Sequence, residues 1–77
     1  MKKISLVQLK NNQKSIVVEI TAGHALQARL MSMGIYKGST ITKLSQFMLR
    51  GPVAVKVGRS IIALGYGMAT KVMVEIE

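Results

Sequence analysis

The stretch from Arg29 to Gly38, RLMSMGIYKG, constrains the fold of this chain more than any other. Leu26, Leu30 and Met33 are spaced i, i+4 and i+7, which places their side chains on one face of a helix. Gly34 follows at the point where such a helix would end, because glycine adopts the left-handed conformation there without steric cost. The stretch therefore predicts an amphipathic helix that stops at a glycine.

The predicted helix runs from His24 to Met33. Gly23 is available as its N-cap residue, and Thr21 is a second candidate. Beyond the helix end, Ile35 is placed to fold back against Leu30, as the Schellman arrangement requires. We therefore expect the chain to reverse directly onto the helix it has just left.

Three short segments that contain glycine predict turns. Lys37-Gly38 fits the central pair of a type II turn, in which the second residue has a positive φ. Gly51-Pro52 separates two apolar segments, and Gly58-Arg59 fits a tight reversal between two strands. The residues to which we assign structural roles in turns are Gly34, Gly38, Gly51, Pro52 and Gly58.

Alternating apolar residues predict a mostly β fold around the helix. The predicted strands cover Ser15–Ile20, Thr40–Ser45, Val53–Val57, Ser60–Leu64 and Val72–Ile76. Poor alternation in the second of them predicts a β-bulge. About five short strands and one short helix in 77 residues form a single domain, residues 1–77, and a flat sheet of this length would leave one apolar face uncovered. We therefore expect a small, strongly bent antiparallel barrel that the helix closes on one side.

The alternation also predicts which side chains face the core. In the first and last strands these are Ile16, Val18, Ile20, Val72, Val74 and Ile76. Val17 and Met73 would then face outward, and we expect them to be available for weak self-association. Residues 65–69 predict a bend or a single helical turn.

The charge of the chain is strongly positive. Eleven Lys and Arg residues against three acidic residues give a net charge of +8. A field of this size raises the encounter rate with nucleic acid, an anionic membrane or an acidic protein surface. The basic residues are scattered, so we interpret them as a solvated surface. Tyr36, Phe47 and Tyr66 are the aromatic residues available for base stacking, and none lies in a recognisable stacking motif.

Composition excludes several other classes of protein. Without cysteine the chain forms no disulfide or thiolate zinc site, and its hydrophobic fraction of 49% argues against disorder. Gln8 and Lys10 interrupt the apolar run at the amino terminus, so it is not interpreted as a signal peptide. No segment approaches the roughly 18 apolar residues of a membrane span. We expect a cytoplasmic protein.

The chain offers little for catalysis or metal binding. One histidine, no cysteine and three glutamates supply neither a nucleophile with its base nor a poised carboxylate pair, so we expect no enzyme activity. Glu75 and Glu77 share a strand face and could begin a metal site with His24 or Glu19. Because a useful site needs three or more converging ligands, we predict no metal site and keep Glu75, Glu77 and His24 as weak candidates.

Several motifs occur in an order and spacing that are specific when taken together. They are Arg29-Leu30, Met33-Gly34-Ile35 followed by Gly38, Gly51-Pro52-Val53-Ala54-Val55, Ile62-Ala63-Leu64, and Ala69 with Val72 and Val74. From about Leu6 to Ile76 the chain thus resembles the FeoA family of ferrous-iron-transport accessory proteins. It departs from the family pattern at Lys37, where proline is usual, and at Gly65, where a basic residue often stands.

The resemblance implies a fold, a partner and a location. The fold would be an SH3-like barrel. The partner would be the cytosolic domain of a FeoB-type ferrous iron transporter, on which the protein would dock without performing chemistry. The protein would be cytoplasmic and recruited to the inner face of the membrane only through that transporter. It would hold no tight cofactor, and any ferrous or other transition metal would bind weakly.

Partner contacts are expected from basic, aromatic and methionine side chains. The candidates are Arg29, Met31, Tyr36, Lys37, Tyr66, Met68 and Met73. The position of Arg29 near the helix end also fits a structural role, in which its side chain binds the last carbonyls. The alternative function is that of a small-barrel nucleic-acid-binding protein, whose affinity would fall steeply with salt.

Overall fold

Six strands form one antiparallel sheet in the computed structural model, which describes residues 2–76. The strands are β1 (Lys3–Ser5), β2 (Gln13–Ile20), β3 (Thr40–Gln46), β4 (Val53–Val57), β5 (Ser60–Leu64) and β6 (Val72–Ile76), in the spatial order β1-β6-β2-β3-β4-β5. A 3₁₀ turn (Leu6–Gln8) follows β1, and the helices are α1 (His24–Ser32) and α2 (Tyr66–Ala69). This architecture confirms the predicted small antiparallel barrel with one short helix and a single helical turn.

The sheet has one strand more than predicted. β1 has three residues, too few for an alternating pattern to be recognised, and it pairs with β6 at the edge of the sheet. The 3₁₀ turn after it is closed by a capping box, in which Ser5 Oγ accepts from the Val7 N–H at 3.4 Å and Gln8 Oε1 accepts from the Ser5 N–H at 2.8 Å.

The end of α1 is as the sequence predicts. Gly34 has φ +88°, and its N–H donates to the Met31 carbonyl at 2.9 Å. The Ile35 N–H donates to the Leu30 carbonyl, also at 2.9 Å, which completes a Schellman motif. Leu30 and Ile35 are both fully buried, so this motif fixes the helix on the core.

The predicted turns and the predicted bulge are also present. The Ser39 N–H donates to the Tyr36 carbonyl at 2.9 Å across Lys37 and Gly38, and Gly38 has φ +99°. Gly58-Arg59 joins β4 to β5 directly, since Val57 pairs with Ser60. The register of β3 against β4 shifts between Lys43 and Ser45. Gly51-Pro52 lies in the turn that leads into β4.

The core face of β2 was predicted wrongly. Ser15 and Val17 are fully buried, whereas Ile16 is 36% exposed. Ser15 tolerates burial because its hydroxyl donates to the Ile41 carbonyl at 3.0 Å. Further along the strand, a register shift between Val17 and Glu19 changes which side chains face the core. Val17 is therefore not available for self-association. The edge strands of the sheet are β1 and β5.

One core collects side chains from nearly every element. Its buried apolar members are Leu6, Leu9, Val17, Leu30, Ile35, Ile41, Val53, Val55, Leu64, Ala69, Val72 and Val74. Met33 and Met68 are partly buried against this core, and Met33 was predicted to be there. Ile76 was predicted to face inward but is 39% exposed, because it lies at the end of β6.

Lys43 is the largest departure from the expectation that the basic residues are solvated. It is 4% exposed on β3. Its Nζ donates to the carbonyls of Val7 at 2.9 Å and Leu9 at 2.8 Å, and to Gln46 Oε1 at 2.9 Å. The three acceptors match the three donors of an ammonium group. Burial lowers the pKa of Lys43 from its usual range, since removal from water penalises the charged form.

The substitution Lys43→Met tests whether these three hydrogen bonds stabilise the fold. Methionine keeps an unbranched side chain but cannot donate a hydrogen bond to the Val7 and Leu9 carbonyls. We expect the free energy of unfolding in urea to fall by about 1–3 kcal/mol. Lys56→Met, at an exposed position of β4, is the matched control and should change the free energy of unfolding by less than about 0.5 kcal/mol. Equal stability of the two variants would contradict the prediction.

The substitution Gly34→Ala tests the helix stop. A Cβ on Gly34 would combine a positive φ with a 3.1 Å contact to Val57 Cγ1, so we expect a loss of about 1–2 kcal/mol in the free energy of unfolding. Gly67→Ala in α2 has open space around the new Cβ and no positive φ, and should be neutral or stabilising. Urea titrations of both variants measure the difference, and a neutral Gly34→Ala would show that the motif is dispensable.

Candidate functional site

An open groove of about 390 Å³ lies between α1, the end of β2 and the turn that precedes β3. Its lining residues are Val18, Glu19, Ile20, Gln27, Met31, Tyr36 and Lys37. Met31, Tyr36 and Lys37 are three of the predicted partner residues, and the structure brings them together here. We name this surface the α1–β2 groove.

The α1–β2 groove has an apolar rim that is open to solvent. Gln27 and Met31 are four residues apart, so they lie on the same face of α1. The side chain of Met31 is 61% exposed and that of Tyr36 is 46% exposed. A flexible thioether beside an aromatic ring can adapt to a partner's surface, which is a common use of methionine in docking sites.

Backbone hydrogen bonds hold the turn that carries Tyr36. The Gly38 N–H donates to the Val17 carbonyl at 2.7 Å, and the Val17 N–H donates to the Ser39 carbonyl at 2.9 Å. The Ser39 hydroxyl accepts from the Tyr36 N–H at 3.1 Å and donates to the Tyr36 carbonyl at 2.7 Å. Tyr36 is thus presented from a backbone fixed to β2, which limits the entropy lost when a partner binds.

The groove contains groups of both charges. Lys3 Nζ donates to Glu19 Oε1 at 2.5 Å, and both side chains are about half exposed. This hydrogen bond, together with the charge of Lys3, lowers the pKa of the Glu19 carboxyl, and the nearby charge of Lys37 adds to the effect. Glu19 therefore keeps its negative charge to a lower pH than an isolated glutamate, and Lys37 supplies a cation to the same groove.

The remaining predicted partner residues lie elsewhere. Arg29 is exposed on α1 outside the groove lining, and the structure gives its side chain no hydrogen bond or ion pair within residues 2–76. Tyr66 and Met68 lie in α2, half-buried. Met73 on β6 is the register partner of Glu19, so its half-buried side chain adjoins the groove.

The weak metal candidates do not converge in the part of the chain that is described. His24 begins α1, Glu75 lies on β6, and Glu77 falls outside the described residues. Residues 2–76 contain no group of three or more histidine or acidic side chains that could hold a metal ion. The chain from 2 to 76 also has no helix of the length and hydropathy needed to cross a bilayer.

Sequence reasoning missed a second exposed surface, in the loop between β3 and β4. Phe47, Met48 and Leu49 are 70%, 73% and 86% exposed. The signal was present, since three large apolar residues stand in a row before an arginine and the Gly-Pro turn. The loop follows β3, whereas the turn that carries Tyr36 precedes it, so Phe47 and Tyr36 lie at opposite ends of that strand.

Comparison with known proteins shows what the chain is similar to. The model of the FeoA domain family matches residues 4–76. A relative from Methanocaldococcus jannaschii, named as an Fe(2+) transport protein A, is 41% identical over 66 residues, which cover 86% of this chain and 78% of the relative. The crystal structure of an iron uptake regulatory protein, FeoA, matches with a TM-score of 0.89 and 35% identity over 100% of both chains.

A third match supports the fold alone. The NMR structure of a FeoA-like protein from Clostridium acetobutylicum has a TM-score of 0.85 at 24% identity, and the match covers 99% of this chain and 88% of that one. Together the matches confirm the SH3-like fold and the resemblance that the motifs indicate.

The ion pair at the groove gives a prediction about pH. The carboxyl of Glu19 should titrate below the usual range of glutamate, and Lys3→Gln should raise its midpoint toward that range. Because the folded pKa is depressed, the stabilisation is present above the usual pKa of glutamate and is lost as the pH falls through the depressed value. Carboxyl ¹³C chemical shifts measure both midpoints. Lys2→Gln is the control, and an unchanged Glu19 midpoint in Lys3→Gln would refute the assignment.

Proposed function

The chain belongs to the FeoA domain family, and we propose that it is a cytosolic accessory protein of ferrous iron transport that docks on a FeoB-type transporter. An accessory role in ferrous iron transport follows from the family. Docking on the cytosolic domain of the transporter is supported by the α1–β2 groove. In this proposal the chain performs no chemistry and reaches the inner face of the membrane through its partner.

The observation that carries the proposal is the exposure of Met31 and Tyr36 beside Lys37. Exposed methionine and aromatic side chains next to a cation are typical of a protein interface, in which apolar residues contribute affinity and charged residues contribute orientation. The fixed turn beneath Tyr36 gives this surface a defined shape. Such a surface fits a partner that presents an apolar side chain flanked by carboxylates.

The net charge of +8 supports the same proposal through kinetics. A strongly positive small protein associates faster with an acidic surface, and this acceleration falls as salt is added. The affinity that remains at about 0.15 M salt would come mainly from the apolar contacts of the groove. The proposal thus assigns long-range attraction to the whole chain and selectivity to the groove.

We also propose that the protein holds no tightly bound cofactor. Its described carboxylates, Glu19 and Glu75, lie on different strands, and Glu19 already pairs with Lys3. Ferrous ion prefers several converging imidazole or carboxylate ligands, so weak and transient contact is all that this donor set supports. Iron would be the cargo of the transporter.

Titration of the labelled protein with the cytosolic domain of the cognate transporter tests the docking proposal. At about 0.15 M salt we expect saturable amide shifts that cluster at Met31, Tyr36 and Lys37. Met31→Ala should raise the dissociation constant about 5- to 30-fold, as for an interface anchor, without changing the free energy of unfolding. Lys37→Gln should mainly slow association at low salt.

The matched control is Met48→Ala, which truncates a methionine of similar exposure far from the groove and should leave the dissociation constant unchanged. Equal weakening by both methionine variants, or shifts that map away from the groove, would contradict the proposal. Binding to a DNA or RNA oligonucleotide with a steep salt dependence, and no shifts with the transporter domain, would favour the nucleic-acid alternative instead.

A further inference from the structure

The loop between β3 and β4 exposes more apolar surface than any function proposed above requires. We name residues 47–50, Phe-Met-Leu-Arg, the apolar loop. Its first three side chains are between 70% and 86% exposed, so they protrude from the body of the protein instead of lining a cleft. Large apolar side chains gathered in this way on a small protein mark a contact with another surface.

The apolar loop is held in one shape. The Phe47 N–H donates to the Pro52 carbonyl at 3.0 Å, and Gln46 Nε2 donates to the Leu49 carbonyl at 2.8 Å. A Cβ on Gly51 would lie 1.6 Å from the Phe47 oxygen, so only glycine allows this closure. Gln46 in turn accepts from the buried Lys43 ammonium, which connects the loop to the core.

Met48 occupies a backbone conformation that does not suit it. Its φ is +62°, in the left-handed region where glycine or asparagine is the less strained choice. Local strain of this kind is concentrated at functional positions. Methionine thus stands at the tip of the loop, where glycine or asparagine would strain the turn less.

The charge around the apolar loop points to the chemistry of its partner. From residue 20 to residue 74 the sequence contains no acidic residue, while the carboxylates of Glu19 and Glu75 lie on β2 and β6. Arg50 belongs to the loop itself, and the chain as a whole has a net charge of +8. A protruding apolar tip beside a cation, in a stretch of sequence without carboxylates, complements a surface that is apolar below a layer of anionic groups.

We propose that the apolar loop inserts into the headgroup layer of an anionic lipid bilayer. Phe47, Met48 and Leu49 enter the boundary between headgroups and acyl chains, and the guanidinium of Arg50 binds lipid phosphate. This contact is made directly with lipid and adds to the recruitment by the transporter proposed above. It is reversible, since three side chains and one loop cation give only modest membrane affinity.

The position of the loop allows membrane contact and groove docking at the same time. The turn that carries Tyr36 precedes β3, and the apolar loop follows it, so the two surfaces lie at opposite ends of a seven-residue strand. A strand of that length spans about 20 Å. One protein molecule can therefore touch lipid at one end and a protein partner at the other.

The absence of tryptophan from the chain makes a direct test possible. Phe47→Trp places one fluorophore in the loop, and Ile61→Trp places one at an equally exposed apolar position on β5 as the matched control. On adding vesicles of phosphatidylcholine with phosphatidylglycerol, we expect a blue shift and quenching by brominated lipid for Phe47→Trp only. Pure phosphatidylcholine vesicles should bind more weakly.

Further substitutions in the Phe47→Trp protein separate the two contributions. Met48→Ser with Leu49→Ser should reduce vesicle partitioning at least about tenfold, and Arg50→Gln about fivefold. Circular dichroism confirms that each variant is folded. No spectral change for Phe47→Trp, an equal change for Ile61→Trp, or a blue shift only with the transporter's cytosolic domain and not with vesicles would overturn the proposal. Because the vesicles contain no transporter, this result is independent of the docking experiment.

Discussion

The hydrogen bonds of the buried Lys43 ammonium group are the interactions on which most of the structure depends. This group joins β3 to the carbonyls of Val7 and Leu9, and it also donates to the side-chain amide oxygen of Gln46 at the end of the same strand. Those carbonyls belong to the segment between β1 and β2, and Lys43 supplies the donor that a buried acceptor requires. Gln46 connects Lys43 to the apolar loop, because its own Nε2 donates to the Leu49 carbonyl. One charged side chain thereby holds the amino-terminal segment, the sheet and the loop in a single arrangement.

β3 also sets the distance between the two exposed surfaces. Its first residue follows the turn that presents Tyr36, and its last residue bonds the loop that presents Phe47. The bulge between Lys43 and Ser45 increases the local twist, and across it the Lys43 ammonium donates to Gln46 Oε1, three residues along the strand. Movement at either end is resisted by the hydrogen bonds that anchor it, so a contact made at one surface leaves the other in place.

Local patterns predicted the parts of this fold that are determined locally. The helix stop at Gly34, the type II turn at Gly38 and the hairpin at Gly58 each depend on neighbours a few residues away, and all three are present. The core face of β2 was wrong because hydroxyl burial at Ser15 is possible only through Ile41, 26 residues later. The burial of Lys43 could not be predicted either, since its acceptors at Val7 and Leu9 are 36 and 34 residues away. The groove was predicted in part, because Met31, Tyr36 and Lys37 are close in sequence, whereas its β2 wall is not.

The excess of positive charge and the small apolar surfaces contribute to different steps of recognition. Three carboxylates cannot neutralise eleven cations, so a net field extends into solvent whatever pairs form on the surface. Such a field attracts any anionic partner and discriminates weakly between them. Discrimination has to come from short-range contacts, which here are the thioether and phenol of the α1–β2 groove and the protruding side chains of the apolar loop. The groove is concave and contains the Glu19 carboxylate, whereas the loop is convex and has no carboxylate near it in sequence. Two surfaces of opposite shape and different charge favour two different classes of partner, and this argues against a single interface that covers both.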